Sequence, residues 1–429
     1  MAQSSLIRQG VLSTVGVAVQ GLARFGYSIL IARFVGAEPL ALVNTLISLS
    51  IILSLLWPTA AGNAAGTFLA RAVRNDRAPQ RVLGLVWKST GLACLGISII
   101  GVLVAVIVIG TEPAETVGMV ALTLAWSAYI LTRGIRMGLG QVTAAAVWDS
   151  VSAAVSIGLL AVVIALGATA LLLWPLTIGY ALFALAAVPA MRRTGRALAP
   201  DRTTVPGDIW HLVAWNSLGL IATNGLIQFS MVWAFAASSA EESGMFAAAI
   251  ALATPASMLA QAVSQVLIPR YAHWLEEDPV QARRHHLQVL SVMTGVLVVA
   301  FGTVAWIAPW FIPLLYGPGF DAAVPLMRLL LIGVFFFSVG LIASSFLITS
   351  WRTVPATIAA GAGSVLGILA MAVASPGLGG ASGAAVGVIV GTAVSAAIAV
   401  GWSLRMPNPP SRAAESPSEP GDGRVGELR

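Results

Sequence analysis

The chain has 429 residues, of which 58% are hydrophobic and only 9% are charged, and its mean hydropathy is +0.90. Soluble globular domains carry about 25% charged residues, so this composition excludes a soluble enzyme and indicates a polytopic membrane protein. The net charge of +6 is compatible with nucleic acid, but the basic residues follow the membrane topology described below, and we expect no nucleic-acid partner.

Apolar runs that are broken by proline, glycine and charge clusters predict the membrane-spanning helices. A helix needs roughly 20 apolar residues to cross about 30 Å of hydrocarbon. The sequence therefore predicts an all-α integral membrane protein with about twelve transmembrane helices in two six-helix bundles. The predicted spans are 10–34, 39–68, 82–110, 114–137, 142–166, 169–190, 208–236, 243–268, 287–314, 322–349, 355–374 and 380–404.

The first span carries a charge, Arg24, near its middle. A charge at that depth costs at least about 2.5 kcal/mol, so its side chain is expected to face protein or water rather than lipid. Helical spacing places Gln20 and Tyr27 on the same stripe as Arg24. We predict that all three residues contact substrate and that Arg24 binds an anionic group in it, such as a phosphate. The alternative is a structural role in which Arg24 pairs with Asp149.

Asp149 is the only acid buried in a predicted span, about two turns in from the inner membrane face, whereas Glu115 and Asp208 lie at the first residues of theirs. It is a candidate ion-coupling site that binds a proton or a cation. Two other interpretations stay open: Asp149 is the counter-charge of Arg24, or it pairs with Arg133 or Arg136 at the membrane interface.

Amides take the place of charges in the second half. Asn216, Asn224 and Gln228 fall on one side of the seventh span, and Gln261 and Gln265 fall on one side of the eighth. Such groups either hydrogen-bond the hydroxyls of a sugar or hold the helices together. We predict substrate contacts for these five residues and keep the structural role as the alternative.

The distribution of basic residues predicts the orientation in the membrane. With the N-terminus inside, 20 of the 23 basic residues fall in inner segments, and only Arg24, Arg33 and Arg328 do not. The outer loops are short and acidic. This pattern predicts a multi-pass protein of the cytoplasmic membrane with both termini in the cytoplasm.

Composition also divides the chain into parts. Residues 191–207 contain proline and glycine near the midpoint and are predicted to be a cytoplasmic linker between an N-terminal bundle, 1–190, and a C-terminal bundle, 208–404. Residues 405–429 are rich in proline, serine and charge, which predicts a disordered cytoplasmic tail.

Enzyme signatures are missing from the sequence. It contains no HExxH and no GxxxxGK[ST] motif, and its four histidines are not spaced as a metal site. We therefore expect no catalytic activity, no cofactor and no bound metal.

Three stretches carry a family resemblance: RFVGAEPLALVN after the first span, ESGMFAAAIALATPASMLAQAVSQVLIPRYA through the eighth, and LYGPGFDAAVPLMRLLLIG before the tenth. With them the chain resembles the polysaccharide transporters (Wzx-like flippases) of the multidrug/oligosaccharidyl-lipid/polysaccharide exporter superfamily. Members typically have glycine where this chain has Ala41, whereas Gly244 matches its counterpart.

The resemblance implies a V-shaped pair of six-helix bundles that flips a polyprenyl-diphosphate-linked oligosaccharide by alternating access. The basic cavity of the family then corresponds to Arg24. Expected partners are the lipid-linked glycan, membrane lipids and polysaccharide-assembly proteins.

Three rival functions stay open at this point. A multidrug exporter of the same superfamily needs acidic cavity residues, and Asp149 stands alone here. A peptidoglycan-precursor flippase usually has two spans beyond the twelve predicted. A membrane glycan polymerase or ligase typically needs a large outer loop, and every predicted outer loop is short.

Overall fold

The computed structural model describes residues 2–74, 77–78, 80–194, 199–200, 206–350 and 352–405. Within these ranges the chain forms fourteen α-helices. They are α1 (Ala2–Phe34), α2 (Ala37–Leu55), α3 (Pro58–Arg74), α4 (Gln80–Val104), α5 (Pro113–Gly138), α6 (Val142–Ala165), α7 (Trp174–Thr194), α8 (Pro206–Leu220), α9 (Leu226–Ala237), α10 (Ala240–Glu277), α11 (Pro279–Tyr316), α12 (Ala323–Thr349), α13 (Thr353–Leu378) and α14 (Gly380–Leu404).

Short segments of other structure join some of these helices. A π-helical turn, Ala105–Ile109, extends α4, and a second one, Ile221–Gly225, connects α8 to α9. A 3₁₀ turn, Thr169–Leu171, precedes α7. Two strands of two residues each, β1 (Arg77–Ala78) and β2 (Ala199–Pro200), pair in parallel. The pairing links the connection after α3 to the connection after α7.

The predicted all-α membrane fold is confirmed. Ten helical segments of the described chain are long and apolar enough to cross a membrane. The helices α1 and α10 are not among the ten, although they have 33 and 38 residues and correspond to the first and eighth predicted spans. The second predicted span is broken into α2 and α3, whereas the seventh continues as one helical segment through the π-helical turn before α9. The chain is a multi-pass membrane protein.

The predicted domain boundaries lie at helix ends or outside the described residues. The helix α7 continues to Thr194 and α8 begins at Pro206, so both reach into the predicted linker 191–207. The proposed tail, 405–429, lies outside the described residues except for Arg405. The division into two bundles stays a prediction.

The helix ends form two faces of opposite charge. We call the face where α3 joins α4, α5 joins α6 and α10 joins α11 the basic face, since Arg71, Lys88, Arg270, Arg283, Arg352 and Arg405 lie at it. The opposite, acidic face carries acids at helix N-termini: Glu38 in α2, Glu115 in α5, and Glu241 and Glu242 in α10. These acids complement the helix dipoles, which is a structural reason for their positions besides membrane orientation.

Glycines allow two helix pairs to touch through their backbones. In the first half, a methyl group on Gly134 of α5 would lie 2.1 Å from the carbonyl oxygen of Gly62 in α3. In the second half, a methyl group on Gly363 of α13 would lie 2.4 Å from the carbonyl oxygen of Gly391 in α14. Each helix in these pairs carries a second glycine four residues away, which is the spacing of close packing in membranes.

The two halves of the chain meet near the acidic face. A methyl group on Gly244, at the start of α10, would lie 2.4 Å from the carbonyl oxygen of Ala37, at the start of α2. Arg33 of α1 donates a hydrogen bond to the carbonyl of Leu314 in α11, with N and O 3.1 Å apart. Gly36 has φ 121°, a backbone conformation that favours glycine and permits the tight turn into α2.

Toward the basic face, α8 packs against α3 of the first half. Trp57 and Trp210 have ring centroids 5.9 Å apart, and Ile209 and Val213 of α8 are buried beside Leu69 of α3. The second half therefore contacts the first through its opening helix as well as through α10.

Candidate functional site

Charged and aromatic side chains form a cluster inside the first half, where α1, α5, α6 and α7 pack together. We call this group the charge–aromatic cluster. Its members are Arg24, Trp126, Tyr129, Arg133, Arg136, Asp149, Tyr180 and Phe183.

Asp149 lies at the centre of the cluster and is fully buried. Its Oδ2 is 3.2 Å from Nε of Arg133, and its Oδ1 accepts a hydrogen bond from the Tyr129 hydroxyl at 2.8 Å. A buried carboxylate is tolerated only when it is paired and hydrogen-bonded, and both conditions hold here. Of the alternatives left open by the sequence, the structure shows the pair with Arg133; among the described side chains Asp149 forms no ion pair with Arg24.

The first helix packs directly on this ion pair. A methyl group on Gly16 would lie 2.5 Å from Oδ2 of Asp149, so glycine is needed for α1 to approach. One turn later, Gln20 donates a hydrogen bond from Nε2 to the backbone carbonyl of Asp149 at 2.8 Å and is 8% exposed. The structure thus shows Gln20 in a helix-packing contact, and its predicted contact with substrate stays a prediction.

Arg24 lies one turn beyond Gln20 and is half-buried. Its guanidinium carbon is 5.6 Å from the centroid of the Trp126 ring, which is a cation–π distance. Together with Tyr180, both side chains line a gap of about 10 Å³, room for roughly one water molecule. The guanidinium therefore lies against the Trp126 ring, which leaves its hydrogen-bond donors available to an anion.

Arg136 is buried at the end of the cluster nearest the basic face, with only 1% of its surface exposed. It donates a hydrogen bond from NH1 to the carbonyl of Ala144 at 3.1 Å. Its guanidinium carbon is 5.1 Å from the ring centroid of Phe183 and 6.0 Å from that of Trp148. Its Nε has no partner within the described part of the protein.

Four aromatic rings connect the two ends of the cluster. The ring centroid of Tyr129 is 5.2 Å from that of Trp126, 5.0 Å from that of Tyr180 and 4.7 Å from that of Phe183. Three guanidinium groups and one carboxylate share this interior, so its formal charge is +2. An excess of buried positive charge favours the binding of an anion.

Tyr27 is buried where α1 packs against the segment that precedes α7. It is 1% exposed, and its hydroxyl donates a hydrogen bond to the backbone carbonyl of Leu172. The structure thus shows Tyr27 in a helix-packing contact, and its predicted contact with substrate stays a prediction.

The second half contains cavities in place of a charged cluster. Three predicted residues, Asn224, Gln228 and Gln261, line the same cavity of about 90 Å³ between α9, α10 and α12. Asn216 lines a different cavity of about 360 Å³ between α8, α12, α13 and α14. The side chain of Gln265 lies outside the described part of the structure. Sequence spacing therefore grouped Asn224 with Gln228 as the structure does, whereas the structure separates Asn216 from them and adds Gln261 of the neighbouring helix.

Sequence reasoning assigned Arg133 and Arg136 only to membrane orientation or to an interfacial pair with Asp149, and did not single out Trp126. A signal for them exists in α5, where Trp126, Tyr129, Arg133 and Arg136 recur at spacings of three and four residues and share one face.

Within the described ranges, no group of three or more His, Cys, Asp or Glu residues is placed to hold a metal ion.

Comparison with known proteins identifies the fold. No family profile matches the sequence, and no curated protein has significant sequence similarity to it. Solved structures do match over nearly the whole chain. A multidrug resistance MATE family transporter of the MOP superfamily, in an inward-facing conformation, has a TM-score of 0.73 and 15% identity, over 91% of this chain and 97% of that one. This chain shares its fold.

Two further structures support the same conclusion. The lipid II flippase MurJ, in an inward closed conformation, has a TM-score of 0.72 and 13% identity, over 92% of this chain and 88% of that one. The MATE multidrug transporter DinF-BH has a TM-score of 0.67 and 17% identity, over 94% of this chain and 95% of that one. The MOP-type fold that the sequence resemblance implied is confirmed, whereas the Wzx-like branch within it is not decided by these structures.

Proposed function

We propose that the chain is a flippase that moves a polyprenyl-diphosphate-linked oligosaccharide across the cytoplasmic membrane by alternating access. The observation that supports it most is the formal charge of +2 in the charge–aromatic cluster, inside a fold shared with membrane transporters. A diphosphate cannot cross hydrocarbon unaided, because an unpaired buried charge is very costly. Guanidinium groups in a protein interior provide the counter-charge that the bilayer lacks.

Arg24 is the residue that we assign to the diphosphate. It is half-buried, and its guanidinium lies against the Trp126 ring. Its planar set of donors is therefore oriented before substrate arrives. Arg133 is restrained by Asp149 and has a side chain only 17% exposed. Protonation of Asp149 would weaken that ion pair and release Arg133 toward the substrate, which is how we propose that Asp149 couples transport to a proton.

A cation exporter of the same fold is the main alternative. Such a protein needs a carboxylate that is free to receive the cation, and the Asp149 carboxylate is already bonded to Arg133 and Tyr129. A peptidoglycan-precursor flippase is the second alternative, since a lipid-linked diphosphate sugar suits the same cluster. The proposal also includes cytoplasmic termini and contact with membrane lipids and polysaccharide-assembly proteins; an enzymatic role as polymerase or ligase is not part of it.

The test is a leaflet-access assay in proteoliposomes with a fluorescent polyprenyl-diphosphate glycan. We expect Arg24→Ala to reduce translocation at least about tenfold, and Arg24→Lys to reduce it less, since lysine keeps the charge and loses the planar donors. Arg328→Ala is the matched control: Arg328 is also an arginine inside a predicted span, but it is exposed and donates to the carbonyl of Ala305 in the second half.

Three results would contradict the proposal in different ways. Equal translocation by wild type and Arg24→Ala would remove Arg24 from the site. Export of a fluorescent organic cation without glycan translocation would favour the exporter. Translocation of a lipid II analogue in preference to other lipid-linked glycans would favour the peptidoglycan-precursor flippase.

A further inference from the structure

A cavity in the second half has uncharged walls. It has a volume of about 360 Å³ and lies between α8, the following π-helical turn, α12, α13 and α14. We call it the neutral cavity. Of its described lining residues, none is charged, and the polar ones include Asn216, Ser344, Ser364, Thr392 and Ser395.

The polar groups of the neutral cavity have unused hydrogen-bonding capacity. Asn216, Ser344 and Ser395 are half-buried and make no hydrogen bond with the described part of the protein. Ser364 donates to the carbonyl of Ala222 at 2.6 Å, and Thr392 donates to that of Val388 at 2.7 Å, so each keeps a lone pair to accept a bond. The cavity thus offers amide donors, hydroxyl groups and acceptors without any charge.

Apolar groups form the rest of the wall. Phe336 and Phe337 of α12 and Leu341 one turn further line the cavity opposite α8. Binding sites for small molecules are typically mostly apolar, with a few polar groups that fix orientation, and span about 300–1,000 Å³. At the small end of that range, the neutral cavity is sized for one ring with its substituents rather than for a whole oligosaccharide.

A sugar ring has the matching chemistry. Its C–H groups pack against aromatic and aliphatic side chains, and its hydroxyls both donate and accept hydrogen bonds. A carboxylate-bearing sugar does not fit, because an acid buried here would meet no described counter-charge. An alkyl chain would leave the amide of Asn216 and the hydroxyls of Ser344 and Ser395 without partners, which costs free energy in a water-poor site.

We propose that the neutral cavity binds an uncharged sugar unit and selects it against acidic sugars. This inference rests on the proposed flippase function and specifies its substrate: the diphosphate is held by the first half and an uncharged sugar by the second. The neutral cavity reaches toward the basic face, since Thr353, at the start of α13, lines it, and Arg133 and Arg136 of the first half lie toward the same face in the last two turns of α5.

The experiment uses the full chain in lipid nanodiscs and measures the binding of octyl β-glucoside, octyl β-glucuronide and octanol by calorimetry. We expect the glucoside to bind at least about tenfold more tightly than the glucuronide. Asn216→Leu should raise the glucoside Kd about fivefold to tenfold by removing the amide at similar volume. Ser344→Ala should raise it about threefold, whereas Ser338→Ala, on the same helix and bonded to the carbonyl of Val334, should leave it unchanged.

Equal binding of glucoside and glucuronide would overturn the proposal. The proposal would also be overturned if octanol bound as tightly as the glucoside and Asn216→Leu had no effect, because the cavity would then hold an alkyl chain. Correctly folded protein, shown by an intact thermal unfolding transition, that binds no glucoside would overturn it too. The glucoside carries no diphosphate, so its binding is measured independently of translocation. Failure of the proposed flippase function would show in the translocation assay, and failure of the sugar site would show in the binding assay.

Discussion

The two halves of the molecule solve the problem of polar groups inside a membrane in opposite ways. In the first half, the polar interior is charged and filled, and only about 10 Å³ remain beside Arg24. In the second half it is uncharged and open, with cavities of about 360 and 90 Å³. The two halves therefore differ in the chemistry that they offer, which is why we propose that the charged part of a substrate binds in one and its neutral part in the other.

The difference follows from what each kind of side chain needs. A buried charge requires close partners, which is why Arg133 and Tyr129 both bond the carboxylate of Asp149. A serine or threonine donates to a carbonyl of its own helix, as Thr392 does to Val388. It needs no neighbour from another helix, so space can persist beside it.

Removal of the central carboxylate should give the largest effect. We expect Asp149→Ala to lower the stability of the first half by about 3 to 5 kcal/mol, because the mostly buried Arg133 loses the carboxylate that pairs with it. Thermal unfolding of the detergent-solubilised protein, followed by tryptophan fluorescence, measures this. Asp321→Ala, which changes an exposed acid at the acidic face, should change stability by less than about 0.5 kcal/mol. If the two variants unfold alike, Asp149 is not buried in an ion pair.

The glycine contact between α3 and α5 should give the next effect. A methyl group on Gly134 meets the carbonyl oxygen of Gly62 at 2.1 Å, and backbone cannot rotate away. We therefore expect Gly134→Ala to destabilise by about 1 to 3 kcal/mol. Gly361→Ala in α13, where nothing lies within 4 Å, is the matched control and should be neutral or slightly stabilising. The same thermal assay compares them, and a neutral Gly134→Ala would contradict the close approach of α3 and α5.

Each half contains a buried tyrosine whose hydroxyl donates a hydrogen bond, so the two halves can be compared by removing one hydroxyl from each. Tyr129 donates to the Asp149 carboxylate at 2.8 Å, and Tyr316 in the second half donates to the backbone carbonyl of Ala248 at 3.2 Å. We expect Tyr129→Phe to cost about 1.5 to 3 kcal/mol and Tyr316→Phe about 0.5 to 1.5 kcal/mol, since a charged acceptor strengthens the bond. Chemical denaturation of both variants measures the difference. A larger loss in Tyr316→Phe would mean that the charged half is not the more tightly bonded one.

Much of the fold was predictable from the sequence because a lipid environment leaves few choices. A backbone in hydrocarbon must satisfy its own hydrogen bonds, so long apolar runs have to be helices, and their ends could be placed to within several residues. The sequence also located the interior charges Arg24 and Asp149, because a charge in an apolar run is conspicuous. The sequence did not predict the break at Leu56 and Trp57 or the π-helical turn before α9, since the apolar run continues through both.

What the sequence by itself determined, then, is the membrane class, the helical content and the unlike chemistry of the two halves. Only the tertiary structure decided which partner Asp149 has, because the sequence leaves Arg24, Arg133 and Arg136 on other helices as candidates alike, and the packing of α5 on α6 brings Arg133 to it. Only the tertiary structure separated Asn216 from Asn224 and Gln228, because the π-helical turn between them interrupts the helical spacing on which their grouping depended. Patterns along one helix fix which residues share a face, whereas the cavity that a face lines depends on how several helices pack.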